Sequence, residues 1–257
     1  MAATIISRVI GLLYRSPLGE TIGNEGLGYY STASNLYTIL LLISSYSIPM
    51  AVSKIVSERL ALKEYRNAHR VFHGALLYAV IVGGVAALVA FFGGKFLLPY
   101  NQQNALLALR VLAPTIFFSA VLGVLRGYFQ AHSTMMPTSI SQIIEQVFNA
   151  AFSIGAAWFF IQQFATNDTE HAKFGAAGGT LGTGAGVLAG LCFMVIVYGV
   201  NRKTILRKVA KDTRHREESY REIFQVLFLM VTPVIFTTWT ITCSSPSSDG
   251  TERIRKH

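Results

Sequence analysis

Long apolar runs separated by short polar connections dominate this chain of 257 residues. No Asp, Glu, Lys or Arg occurs in 26–53, 71–94, 146–167 or 174–201. Because about 20 apolar residues are needed to cross the hydrocarbon core of a bilayer as a helix, the pattern predicts an all-α, integral membrane helix bundle. Seven spans are expected, at 2–14, 29–53, 71–93, 106–126, 138–163, 174–199 and 222–242. The first is too short to cross alone, so it either continues past Arg15 or begins further upstream.

The basic residues predict the orientation. The connections 54–70 and 201–221 carry five and eight Lys or Arg residues, and Arg126 closes the fourth span, whereas the alternate connections carry one each. The positive-inside rule then predicts a cytoplasmic N-terminus. We expect a multi-pass protein of the cell (cytoplasmic) membrane. The same loops account for the net charge of +9, so we expect anionic lipid headgroups rather than nucleic acid as their partners.

Polar side chains interrupt the fifth span on a single face. Gln142, Glu145, Gln146 and Asn149 stand at i, i+3, i+4 and i+7, which is one side of a helix. Polar groups inside a span normally face the protein interior. The stripe therefore predicts either the wall of a polar cavity or hydrogen bonds that only hold the bundle together. The carboxylate of Glu145 must find a cation or take up a proton.

The first span carries two arginines on one face. Arg8, Gly11 and Arg15 stand at i, i+3 and i+7. Two guanidinium groups in this arrangement suit a diphosphate, because arginine can grip phosphate oxygens with two parallel hydrogen bonds. The alternative is that both side chains extend to opposite membrane interfaces, most of all Arg15 near the outer end.

Other polar and bending residues point to structure rather than to chemistry. Arg110 and Arg126 bracket the fourth span and are expected to be interfacial anchors. Pro49 and Pro114 remove backbone hydrogen bonds and are expected to bend the second and fourth spans.

The sixth span has glycines at four-residue intervals, which indicates a seam of close helix contact. These glycines are Gly178, Gly182, Gly186 and Gly190. The chain has no nucleophile elbow, no H-E-x-x-H and no P-loop, and its two cysteines have no metal-ligand spacing. We therefore expect no enzyme, no cofactor and no metal site.

Several stretches resemble bacterial polysaccharide-biosynthesis flippases, the SpoVB-like and MurJ-like members of the multidrug/oligosaccharidyl-lipid/polysaccharide exporter superfamily. They are 7–15 (SRVIGLLYR), 22–28 (IGNEGLG), 47–58 (SIPMAVSKIVSE), and 126–130 (RGYFQ) with 137–138 and 141–146 (SQIIEQ). The resemblance implies one lobe of a fourteen-helix transporter that moves an undecaprenyl-diphosphate-linked cell-wall or polysaccharide precursor, lipid II first among them. It also implies that Arg8, and less surely Arg15, contact the diphosphate in a cavity that is open alternately to the two sides of the membrane. Glu145, Gln142, Gln146 and Asn149 complete the expected substrate-binding set.

The expected organisation is a transmembrane helical domain over 1–242, made of the N-terminal lobe and the start of a second lobe. A polar tail over 243–257 is expected to be disordered or to derive from a frameshift, and the chain to be a truncated fragment. Two alternatives remain open. One is an inert or half-size membrane protein that needs a partner chain. The other is a drug antiporter of the same superfamily, which has no need for cations on the first span.

Overall fold

Helices follow one another through all of the described part of the protein. The computed structural model describes residues 9–11, 14–42, 44, 47–98, 100–164, 167–210, 223–226 and 228–229. The elements are α1 (Arg15–Leu41), α2 (Ile48–Ala61), α3 (Tyr65–Leu97), a 3₁₀ helix (Tyr100–Ala105), α4 (Leu106–Ala131), α5 (Met136–Phe164) and α6 (Asp168–Ala210). No strand occurs among these residues, which confirms the all-α prediction.

Four of these helices are long and apolar enough to cross a membrane, namely Tyr65–Leu97, Gln102–Ala131, Met136–Phe164 and Thr169–Ala210. They contain the third to sixth predicted spans. Large apolar side chains lie exposed along α3 and α5, among them Leu88, Phe92, Phe148, Phe152 and Trp158. Exposed apolar faces of this size are expected where a helix meets lipid rather than water, so the described helices form a membrane bundle.

Of the two explanations for the short first span, continuation past Arg15 is confirmed. Tyr14 donates its backbone N–H to the carbonyl of Ile10 (3.2 Å), and Leu18 donates to Tyr14 (3.1 Å), so the helix runs on into α1. Within α1 the regular conformation is broken at Gly23, where φ is 74° and ψ is 171°. A positive φ is readily adopted by glycine. The turn between the first two spans therefore lies at Gly23, inside the connection that the sequence predicted.

The prediction of one continuous second span over 29–53 is also wrong. α1 ends at Leu41 and a separate helix, α2, begins at Ile48. Pro49 lies in the first turn of α2 and therefore does not bend a longer helix. Proline is favoured there because the first backbone N–H groups of a helix have no partner within the helix.

The glycine seam predicted for the sixth span packs α6 against α5. A Cβ at Gly178 would lie 2.6 Å from the Ala156 carbonyl oxygen, and one at Gly186 would lie 2.5 Å from the Glu145 carbonyl oxygen. Both distances are too short for real contacts, so only glycine allows this approach of the two backbones. The seam thereby fixes the position of α5, the helix with the polar stripe.

The seventh predicted span falls outside the described residues except for 223–226 and 228–229, and the tail 243–257 lies wholly outside them. The two-part domain division, the cytoplasmic N-terminus and the truncated state stay predictions.

Candidate functional site: a polar cavity among α1, α4, α5 and α6

An open cavity of about 620 Å³ lies among four helices. It is lined by Gly11, Tyr14, Arg15, Tyr30, Ser34, Tyr37, Thr38, Leu112, Arg126, Gln142, Glu145, Gln146, Asn149 and Thr183. Twelve of the fourteen lining residues carry a hydroxyl, amide or charged group. In a chain with exposed apolar helices, polar groups gathered on an inner surface mark a place where a polar ligand or water can enter.

The polar stripe of α5 faces this cavity. All four of its members, Gln142, Glu145, Gln146 and Asn149, line the wall, while Val147, Phe148 and Phe152 lie exposed on other sides of the helix. The periodicity of the sequence thus placed the stripe on a cavity wall. The role of the four residues in substrate binding stays a prediction.

Glu145 is paired with a cation inside the cavity. Arg126 donates from Nη2 to Glu145 Oε2 at 2.7 Å, and the two side chains are 15% and 21% exposed. Arg126 also donates from Nε to Ser141 Oγ at 2.9 Å. The sequence predicted that this carboxylate either lies near a cation or takes up a proton, and the structure shows a nearby cation.

The expectation that Arg126 is an interfacial anchor is therefore wrong. α4 continues to Ala131, so Arg126 lies inside a helix rather than at its end, and its guanidinium turns to α5. Arg110, towards the other end of α4, is exposed, and its guanidinium carbon lies 5.8 Å from the ring centre of Phe91. Arg110 does not line the cavity.

Asn149 holds helices together as well as lining the wall. It is buried and donates from Nδ2 to the Tyr14 hydroxyl at 3.5 Å. Its Oδ1 accepts hydrogen bonds from Ser153 at 3.0 Å and from Thr183 at 3.4 Å. The interhelical hydrogen bonding considered as the alternative for the stripe thus applies to this residue.

Of the two arginines predicted to bind a diphosphate from the first span, the structure describes only Arg15. Gly11 and Arg15 lie on the cavity wall, and the Arg15 side chain is exposed. Arg15 forms no ion pair with any described residue. Arg8 lies outside the described residues, so its place relative to the cavity stays a prediction.

Three tyrosines of the wall were missed by the sequence analysis. The hydroxyls of Tyr14 and Tyr30 lie 3.1 Å apart, and the Tyr37 hydroxyl lies 3.2 Å from Ser119 Oγ on α4. Tyr30 and Tyr37 stand seven residues apart on α1, which places both on the same face of the helix. That spacing was the available signal, although tyrosines at helical spacing are equally typical of an ordinary core.

Two further cavities adjoin the central one. The first, of about 350 Å³, shares Tyr37, Arg126, Gln142 and Glu145 with it. The second, of about 410 Å³, shares Arg15, Tyr30 and Ser34 with it. Both of these boundaries therefore include an arginine.

Comparison with known proteins agrees with the resemblance seen in the sequence. A family model described as "Polysaccharide biosynthesis protein" matches residues 1–242. The chain is 24% identical over 243 residues to the lipid II flippase MurJ of Bacillus subtilis (strain 168), covering 91% of this chain and 44% of that protein. It is 25% identical over 233 residues to stage V sporulation protein B of the same organism, covering 88% and 43%. The chain thus spans less than half the length of these curated relatives, and it belongs to the polysaccharide biosynthesis protein family.

Proposed function

We propose that the cavity binds the diphosphate of a lipid-linked cell-wall or polysaccharide precursor, and that the chain contributes the binding lobe of a flippase for that lipid. The observation that carries the proposal is Arg15, an exposed guanidinium on the wall of a polar cavity with no ion-pair partner among the described residues. A cation held in this way is available to an anionic ligand.

The chemistry of the wall fits the headgroup of such a lipid. Guanidinium N–H groups match phosphate oxygens in pairs, and the amides of Gln142 and Gln146 can bond to sugar hydroxyls. A cavity of about 620 Å³ is within the range of small-molecule sites. The exposed apolar faces of the helices offer an environment for the polyprenyl chain outside the cavity.

The relatives favour lipid II as the first substrate to test. One of them is named a lipid II flippase, and the other is named for sporulation, so another precursor with the same polyprenyl diphosphate is the second choice. The proposal involves no covalent step and no cofactor. Transport by alternating access needs two bundles that move against each other, so a second lobe or a second chain is part of the proposal.

Binding of farnesyl diphosphate to the chain in lipid nanodiscs tests the proposal. We expect the wild type to bind this diphosphate and to show no comparable affinity for farnesol. Arg15→Gln should weaken binding on the order of tenfold, because one charge-assisted interaction is lost. Arg110→Gln is the matched control, since it removes the same charge from a residue that is not on the cavity wall, and it should leave the affinity unchanged.

Two results would contradict the proposal. Equal affinity for farnesol and farnesyl diphosphate would show that the diphosphate is not recognised. Saturable binding of tetraphenylphosphonium, a lipophilic cation, without binding of the diphosphate would favour the drug antiporter instead.

A further inference from the structure

The Arg126–Glu145 ion pair forms part of the boundary between two cavities. Both side chains line the central cavity of about 620 Å³ and also the adjoining cavity of about 350 Å³. They are 15% and 21% exposed, so each can be reached by a solute that enters either cavity. A buried pair that only joins two helices would have no such access.

Arg126 is anchored independently of Glu145. Its Nε donates to Ser141 Oγ at 2.9 Å, and Ser141 Oγ in turn donates to the Thr138 carbonyl at 2.7 Å. This relay keeps the guanidinium in place if the carboxylate moves away. The side chain that can leave the pair is therefore Glu145, not Arg126.

The pair with Glu145 occupies few of the N–H groups that Arg126 can donate. The contact is a single hydrogen bond from Nη2 to Oε2, and with the bond to Ser141 it employs two N–H groups of the roughly five that a guanidinium carries. The described residues supply no hydrogen-bond partner for the others. A phosphate group can accept two parallel bonds from a guanidinium and so match it better than one carboxylate oxygen does.

We propose that Arg126 is an additional anion-binding residue, and that Glu145 occupies its guanidinium until a phosphate displaces it. The anion and the carboxylate compete for one cation. Displacement of Glu145 also removes part of the boundary between the two cavities. This inference rests on the proposed function, because it assigns a second cation to the same anionic headgroup.

Glu145→Gln tests the competition directly. The amide keeps the shape of the side chain and can still accept a hydrogen bond from Arg126, so the helix packing is retained. The neutral amide competes less strongly with the anion for Arg126 than the carboxylate does. We therefore expect farnesyl diphosphate to bind on the order of tenfold more tightly. Glu145→Asp, with a shorter reach towards Arg126, should give a smaller gain and provides a second variant of the same site.

Two further variants separate direct competition from a general change in charge. Glu64→Gln makes the same charge change at a residue that lines neither cavity and should not alter the affinity. In the double variant Arg126→Gln/Glu145→Gln the gain should disappear, because the cation that produces it is gone.

The outcomes distinguish this inference from the proposed function. If wild-type binding depends on Arg15 but Glu145→Gln binds no more tightly, the competition is wrong and the proposed function stands. If the gain survives in the double variant, Arg126 is not the residue that receives the anion. If neither the wild type nor any variant binds the diphosphate, both proposals fail.

Discussion

Arg15 and Arg126 border the same cavity but are held in opposite ways. Arg15 is exposed on α1 and has no ion pair with the described residues, whereas Arg126 is mostly buried on α4 and bonded to Glu145 and Ser141. A free guanidinium adds little to stability and is available to a ligand. A paired one contributes to stability, because removal of either partner leaves a charged group without its hydrogen-bond partner. The role of each arginine is thus set by its neighbours.

The largest expected effect is on stability and separates the two arginines. Arg126→Gln removes the hydrogen bonds to both Glu145 and Ser141 and should lower the free energy of unfolding by about 3 kcal/mol. Arg15→Gln should change it by less than about 0.5 kcal/mol. Unfolding in mixed detergent micelles measures both. Equal losses for the two variants would contradict the distinction.

The approach of α6 to α5 provides the next test. A Cβ at Gly186 would meet the carbonyl oxygen of Glu145 at 2.5 Å, whereas one at Gly199 on the same helix would have nothing within 4 Å. Gly186→Ala should therefore cost about 2 kcal/mol through forced backbone movement, and Gly199→Ala, as the matched control, should be neutral or slightly stabilising. If both variants melt like the wild type, the seam does not determine where Glu145 lies.

Removal of the carboxylate should cost less than removal of the guanidinium. Glu145→Gln leaves Arg126 bonded to Ser141 and accessible to water in two cavities, so we expect a loss of about 1 kcal/mol. A double-mutant cycle with Arg126→Gln should give a coupling energy of about 1–3 kcal/mol. Additive losses would mean that the two side chains do not stabilise each other.

The smallest effect is expected at the anchor of Arg126. Ser141→Ala removes the acceptor of the Nε hydrogen bond and should destabilise the protein by about 0.5 kcal/mol. Ser31→Ala removes a hydroxyl whose hydrogen bond among the described residues goes to the Gly28 carbonyl of its own helix, and it should be close to neutral. A larger loss at Ser31 than at Ser141 would argue against the anchoring role.

The regular helices and the polar stripe were predictable because each depends on local periodicity. The fifth span was predicted at 138–163, and the helix is found at Met136–Phe164. The spacing of its polar residues predicted which face of the helix lines the cavity. The division between α1 and α2 was not predictable from apolar content, since 42–48 is apolar or weakly polar throughout. Pro49 was the available signal, and it marks the start of a helix rather than a bend within one.

The partner of Glu145 was missed for a different reason. Arg126 lies 19 residues earlier in the chain, on another helix and across a connection. Its pairing depends on how far α4 extends and on how α5 packs beside it. Neither is visible in a pattern that runs along one helix, so tertiary packing rather than local sequence determines the pair.

Photo-crosslinking at adjacent positions of α1 tests the central claim, that the cavity receives a diphosphate lipid, most directly. Thr38 lines the cavity, whereas Ile39 beside it is exposed and does not. p-Benzoylphenylalanine replaces either Thr38 or Ile39. Membranes that contain the variant are irradiated in the presence of alkyne-tagged farnesyl diphosphate. We predict an adduct at position 38 that excess inorganic pyrophosphate suppresses and Arg15→Gln reduces, and a weaker adduct at position 39 that neither affects. Equal labelling at both positions, insensitive to pyrophosphate, would contradict the claim.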